Sequence, residues 1–134
     1  MPDTPSELLT RAADLIRDRV VGTTPGPWGY EDSSMDLDGA VYQHPTGEEV
    51  AFVRSTSINV QDANGRWIAL LNPSVAPAIE SMLRDAAVSW RSLEWSHPEV
   101  VSSGKVDGWL RDIDRFALDF TLAVLGLVDP KEGK

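Results

Sequence analysis

Apolar residues recur at helical intervals in three stretches of the chain and crowd into short β-type runs between the first and second. Leu8, Ala12, Leu15, Ile16 and Val20 fall on one face of a first helix. Thr4 suits its cap, Pro5 its first position and Glu7 the third residue of a capping box. Gly22 suits its stop. Residues 28–60 hold "WGYED", "GAVYQH" and "EEVAFVRS", aromatic and β-branched runs separated by turn residues, with "HPTGEE" as a hairpin connection. They predict an antiparallel meander of about three strands, which needs a helix to cover its apolar face.

The stretch "INVQDANGRWIALLNP" reads two ways. Asn64-Gly65 would turn a hairpin between Val60 and Trp67. Alternatively Asp62 caps a short helix running to Leu71, with Gly65 costing about 1 kcal/mol. The helix is preferred. A long helix follows, with Asn72 as cap, Pro73 at its first position and a stripe of Val75, Ile79, Met82, Ala86, Trp90 and Leu93. "SHPEVVSSGKVDG" reads as a loop. "WLRDIDRFALDFTLAVLGLVDP" reads as the last helix, with Ile113, Phe116, Ala117, Phe120 and Val124 turned inward and Gly126 at its end. Asp107–Arg111 and Asp112–Arg115 are spaced as ion pairs on its outer face. The predicted class is α+β: an N-terminal helix, a small antiparallel sheet, a short helix, and two long C-terminal helices packed on the sheet.

"TTPGPW" at 23–28 interrupts this pattern. Pro27 has no N–H with which to close a turn across 24–27, and Thr24 and Gly26 both precede proline, which favours extended backbone. Such a stiff strap delivers Trp28 to a fixed place at low entropic cost, expected to be the core seam between the first helix and the sheet. Trp67, Trp90 and Trp109 lie in or near helical stripes and are expected in the core. Trp95, in "LEWSHPE", sits past its stripe among charged and turn residues, and is the aromatic suited to anchor a partner.

At 134 residues the chain is expected to form one domain and to bury roughly two-thirds of its unfolded surface. Twelve Lys and Arg against twenty-one Asp and Glu give a formal net charge of −9, without the basic face that a nucleic-acid binder needs to displace counterions. The absence of cysteine excludes disulfides, thiolate metal sites and thiol nucleophiles. The C-terminal apolar stretch is interrupted by Asp119 and Thr121, so no membrane span is expected. "MPDTPSELL" lacks the basic and apolar regions of a signal peptide, and a cytoplasmic location is expected.

No catalytic constellation emerges. His44 and His97 are 53 positions apart, each before a proline, and read as loop histidines rather than metal ligands. "DSSMDLDG" at 32–39 would place Ser34, Asp36 and Asp38 at the first, third and fifth positions of a calcium loop, but its twelfth position is Pro45 where a glutamate is required. Neither a nucleophile elbow nor a phosphate loop is present. Asp112 and Asp114, two apart on a helix, do not converge for acid–base work. No metal or cofactor is expected.

"TTPGPW" at 23–28, "DANGRWIALLNPSVAPAIESML" at 62–83 and "FALDFTLAVLG" at 116–126 together resemble a loose family of small phage and prophage accessory proteins. These include the Ead-like proteins of lambdoid phages and many short actinobacteriophage proteins. Asn64-Gly65 departs from the family pattern, which is helical there. The resemblance implies a non-essential phage gene product acting on the host. It transfers neither an activity nor catalytic residues, and it implies that Trp28, Trp67, Asn72 and Pro73 are fold determinants. The expected function is therefore non-catalytic binding of a host protein through Trp95. The alternative is sequestration of a small ligand or nucleotide, with aromatics to stack a base and Arg54, Arg66 and Arg91 for phosphate. The stripes of the long and last helices would serve a two-fold homodimer as well as packing within one chain.

Overall fold

Thr4 caps the first helix as its sequence dictates. Its Oγ1 accepts from the Glu7 N–H at 3.3 Å and donates to Glu7 Oε1 at 3.0 Å, and α1 runs Pro5–Val20. Gly22, at φ 81°, follows its end. The computed structural model describes residues 3–32, 39–55 and 57–127. The acidic turn with Ser34, Asp36 and Asp38 lies outside them. The fold is α+β, in the order α1, β1 (Trp28–Glu31), β2 (Gly39–Gln43), β3 (Glu49–Val53), α2 (Ile58–Leu70), a 3-10 turn (Pro73–Val75), α3 (Ala76–Ser96), α4 (Pro98–Ser103) and α5 (Asp112–Val124).

The chain divides into two compact units, one of Arg19–Ala76 and one of Met1–Asp18 with Pro77–Lys134. In the first, the strands form an antiparallel sheet of order β1-β2-β3, with Tyr30 opposite Val41 and Ala40 opposite Phe52. The "HPTG" connection closes as a hairpin, the Gly47 N–H donating to the Gln43 carbonyl at 2.8 Å. Val41, Val53 and Ala69 form the small core, with Trp28, Tyr30 and Val50 packed on it. The helix seated on the sheet is α2, whereas α3 and α5 pack with α1 in the other unit.

The ambiguous stretch is helical, and α2 starts earlier than Asp62. Ser57 caps it, its hydroxyl accepting from the Val60 N–H at 3.2 Å. Asp62 instead accepts from the Tyr30 hydroxyl at 2.8 Å. Gly65 is a packing residue rather than a turn residue, since a Cβ there would overlap the Tyr30 ring. The buried face of α2 is Gln61, Gly65 and Ala69, small enough to bring the helix close to the sheet. That leaves Trp67 62% exposed, not in the core.

Two of the motifs meet at the end of α2. Buried Asn72 donates from Nδ2 to the Ala69 carbonyl and accepts at Oδ1 from the Ser74 N–H, both at 2.9 Å. Pro73 opens the 3-10 turn that leads into α3. Gly26 of the strap lies so close that a Cβ would overlap the Asn72 and Ser74 side chains. Trp28 is half-buried on the small core, its indole donating to the Thr24 carbonyl at 3.0 Å.

The larger core joins Leu9, Ala12 and Ala13 of α1 to Leu83, Ala86, Ala87, Trp90 and Leu93 of α3, with Val106 and Ala117. Pro98 and Glu99 start a short α4 where a loop was expected, and Gly104, at φ 74°, ends it. Ring centroids of His97 and Trp109 lie 4.3 Å apart, and Trp109 is half exposed rather than core. The last helix begins only at Asp112. Its inward face is Asp114, Ala117 and Thr121, so Ile113, Phe116, Phe120 and Val124, expected inside, face outward. The reason is Asp114. Its carboxylate accepts from the Arg111 N–H at 3.2 Å and from the Arg111 guanidinium at 3.0 and 3.1 Å. Its carbonyl accepts from the buried Trp90 indole at 3.0 Å. Asp107 consequently pairs with Arg115 rather than with Arg111.

Candidate functional site

The start of α1 and the end of α3 build an open groove of about 480 Å³, lined by Thr4, Ser6, Glu7, Arg91, Glu94 and Trp95. A helix start leaves backbone N–H groups without intrahelical partners and favours a negative charge. Glu94 supplies that charge. Its Oε2 accepts from the Ser6 N–H at 2.9 Å and its Oε1 from the Ser6 hydroxyl at 2.6 Å. Trp90 and Leu93 are buried on the core side of α3, so Arg91 and Trp95, four apart, share the outer side. Trp95 is 85% exposed.

Two residues singled out from the sequence, Arg91 and Trp95, are thus brought to one groove. In the sequence Thr4 and Glu7 read only as capping residues, and Ser6 and Glu94 belong to no chemistry-bearing pattern. The available signal was the Arg91–Glu94–Trp95 spacing on one helix face. The groove offers an indole face, a guanidinium, hydroxyls and two carboxylates. Trp95 and Arg91 are of the types enriched at protein interfaces, whereas serine and glutamate are depleted there, and the carboxylates oppose a phosphate.

Arg54 and Arg66 belong to the other unit. Arg54 lines a groove of about 380 Å³ with Phe52, Val53, Asn64, Trp67 and Ile68. Arg66 is turned to Asp32, with Nη2 to Oδ1 at 2.6 Å. Of the fold determinants, Trp28, Asn72 and Pro73 hold the positions described above, and Trp67 lines this second groove.

Charge elsewhere is organised in pairs. Arg84 of α3 donates to Asp14 of α1 at 2.8 Å and to Glu80 at 2.8 Å. The Arg84 hydrogen bond and the charge of Arg17 hold the Asp14 carboxyl below the usual carboxylate range, against an opposing desolvation. Arg111 and Arg115 are held more firmly protonated, above all by hydrogen bonds to Asp114 and Asp112 respectively. Among the described residues no cluster of three or more His, Asp or Glu could hold a metal ion, and no helix is long and apolar enough to cross a membrane. No family model, curated protein or solved structure matches the chain.

Proposed function

We propose that this chain is a non-catalytic accessory protein of phage or prophage type that binds a protein of its bacterial host, in the host cytoplasm, through the groove bearing Trp95. One observation carries the reading. A tryptophan 85% exposed stands beside a groove of about 480 Å³ that already holds Arg91 and two glutamates. Exposed tryptophan and arginine are the residues that most often dominate binding energy at protein interfaces. Phage origin rests on the "TTPGPW" and "DANGRWIALLNP" resemblance alone. The nucleotide-sequestering alternative is weaker, because Glu7 and Glu94 line the same groove and Arg66 is engaged by Asp32.

The test is affinity capture from host lysate with the wild type and Trp95→Ala side by side. A partner retained at near one-to-one stoichiometry should be lost with the variant, at a cost of about 2 kcal/mol or more in affinity. Trp95 is mostly solvated, so the variant should melt with the wild type. No stoichiometric partner, or one held equally by both proteins, overturns the proposal.

A further inference from the structure

The outward face of α5 is a second surface, on elements distinct from the Trp95 groove. Ile113, Phe116, Phe120 and Val124 are spaced three, four and four apart, a continuous helical stripe roughly 17 Å long. Phe116 is 61% exposed, and Ile113, Phe120 and Val124 are exposed beside it. Contiguous apolar surface of this kind marks an interaction site. What covers it is indicated by its edge. At 100° per residue, Asp112 and Asp119 fall one above the other along one border of the stripe. Arg115, the cation on that side, has its guanidinium taken up by Asp107 and Asp112. The border therefore remains acidic, on a chain of net charge −9.

That edge selects the occupant. A second copy packed antiparallel about a two-fold axis would set this acidic border against itself, and like charges facing across helices are destabilising. A helix with basic residues beside its apolar stripe would meet carboxylates instead. We propose that α5 docks an amphipathic helix of a partner protein, with large apolar residues in its stripe and Lys or Arg along the flank that meets Asp119 and the net-negative group of Asp107, Arg115 and Asp112. Apolar contact supplies most of the affinity, and the charged flank sets orientation and speeds association.

The probe is a pair of fluorescent amphipathic peptides of about 18 residues, five helical turns. They share one leucine stripe and differ only in Lys or Glu flanks. The full-length protein should bind the Lys peptide with a gain in its helicity, and this binding should weaken as salt is raised. The Glu peptide should bind at least about tenfold more weakly. Phe116→Ser should weaken the Lys peptide by about tenfold or more, as expected for an interface aromatic. Asp119→Lys should erase the preference between peptides, while Trp95→Ala should leave both unchanged. Both altered α5 residues are solvent-facing, so the variants should fold, which thermal melts would verify. Equal binding of the two peptides, or binding unaffected by Phe116→Ser, overturns the proposal. So does light scattering that shows a dimer dissociated by Phe116→Ser, since the face would then belong to a second copy.

Discussion

Tyr30 ties the sheet of the small unit to its helix. Its ring lies on Gly65 of α2 and its hydroxyl reaches Asp62 one turn earlier, so sheet and helix are fixed by one side chain. Gly39 is equally close, because a Cβ there would overlap the same ring. Glycine inside a helix costs about 1 kcal/mol relative to alanine. It is retained here because a methyl group would displace the ring. Forced overpacking costs about 1–3 kcal/mol, and the Tyr30–Asp62 hydrogen bond, worth about 1 kcal/mol, would be lost with it. Gly65→Ala should therefore destabilise by about 2 kcal/mol in urea unfolding, taking these terms together. In a Tyr30→Ala background the sign should reverse, since helix propensity then favours alanine. Destabilisation of the same size in both backgrounds would mean that the ring is not the cause. The same geometry explains why Asn64-Gly65 leaves the sequence open between turn and helix: dipeptide chemistry is local, whereas the ring that demands glycine comes from 35 positions away.

At the scale of elements, four of the five helices were legible, α4 reading as a loop, and their inner faces only partly so. Hydrophobic spacing located α1, α3 and the body of α5, and capping residues located the start of α1 and the turn at Asn72. For α2 and α5 the apolar stripe is not the buried one, and the buried face of α1, Ser6, Leu9, Ala12 and Ala13, shares only Ala12 with the expected stripe. Gln61, Gly65 and Ala69 are buried because small side chains allow close approach to the sheet. Asp114 is buried because its carboxylate closes the start of α5. Periodicity detects where apolar residues lie, not which side a capping carboxylate or a close helix–sheet contact turns inward. The Trp95 groove was visible as one aromatic and one arginine, and its other half is contributed by α1, distant in sequence. The α1–α3 pairing also has an electrostatic component at Asp14 and Arg84. The folded-state pKa of Asp14 is depressed, so its contribution is present above the unfolded carboxylate value and is lost as pH falls through the folded one. The stability gap between wild type and Asp14→Asn should thus be level at neutral pH and shrink below about pH 4. Salt should narrow it, because the pair is solvent-accessible. Arg84→Met should remove most of the pH-dependent part. A gap as wide in acid as at neutrality would contradict the assignment.

Over the whole molecule, apolar burial is divided unequally between two cores. The unit of α1, α3, α4 and α5 buries Leu9, Leu83, Trp90, Leu93 and several alanines, while the unit of the sheet and α2 centres on Val41, Val53 and Ala69. Opening free energy tracks the apolar surface that must be exposed, at about 25 cal/mol per Å². A three-stranded sheet covered by one helix is also near the lower limit of what is stable in water. The small unit should accordingly open first. In native-state hydrogen exchange with low urea, the amides of Val41 and Val53 should exchange through an opening of lower free energy than those of Leu83–Leu93. The Trp90 indole, bonded to the Asp114 carbonyl, should report only the larger unit. Identical opening free energies at Val53 and Leu83 would mean that the two cores unfold as one cooperative body. The contrast would then lie in composition alone, and Gly65→Ala would have to lower protection at Leu83 as much as at Val53.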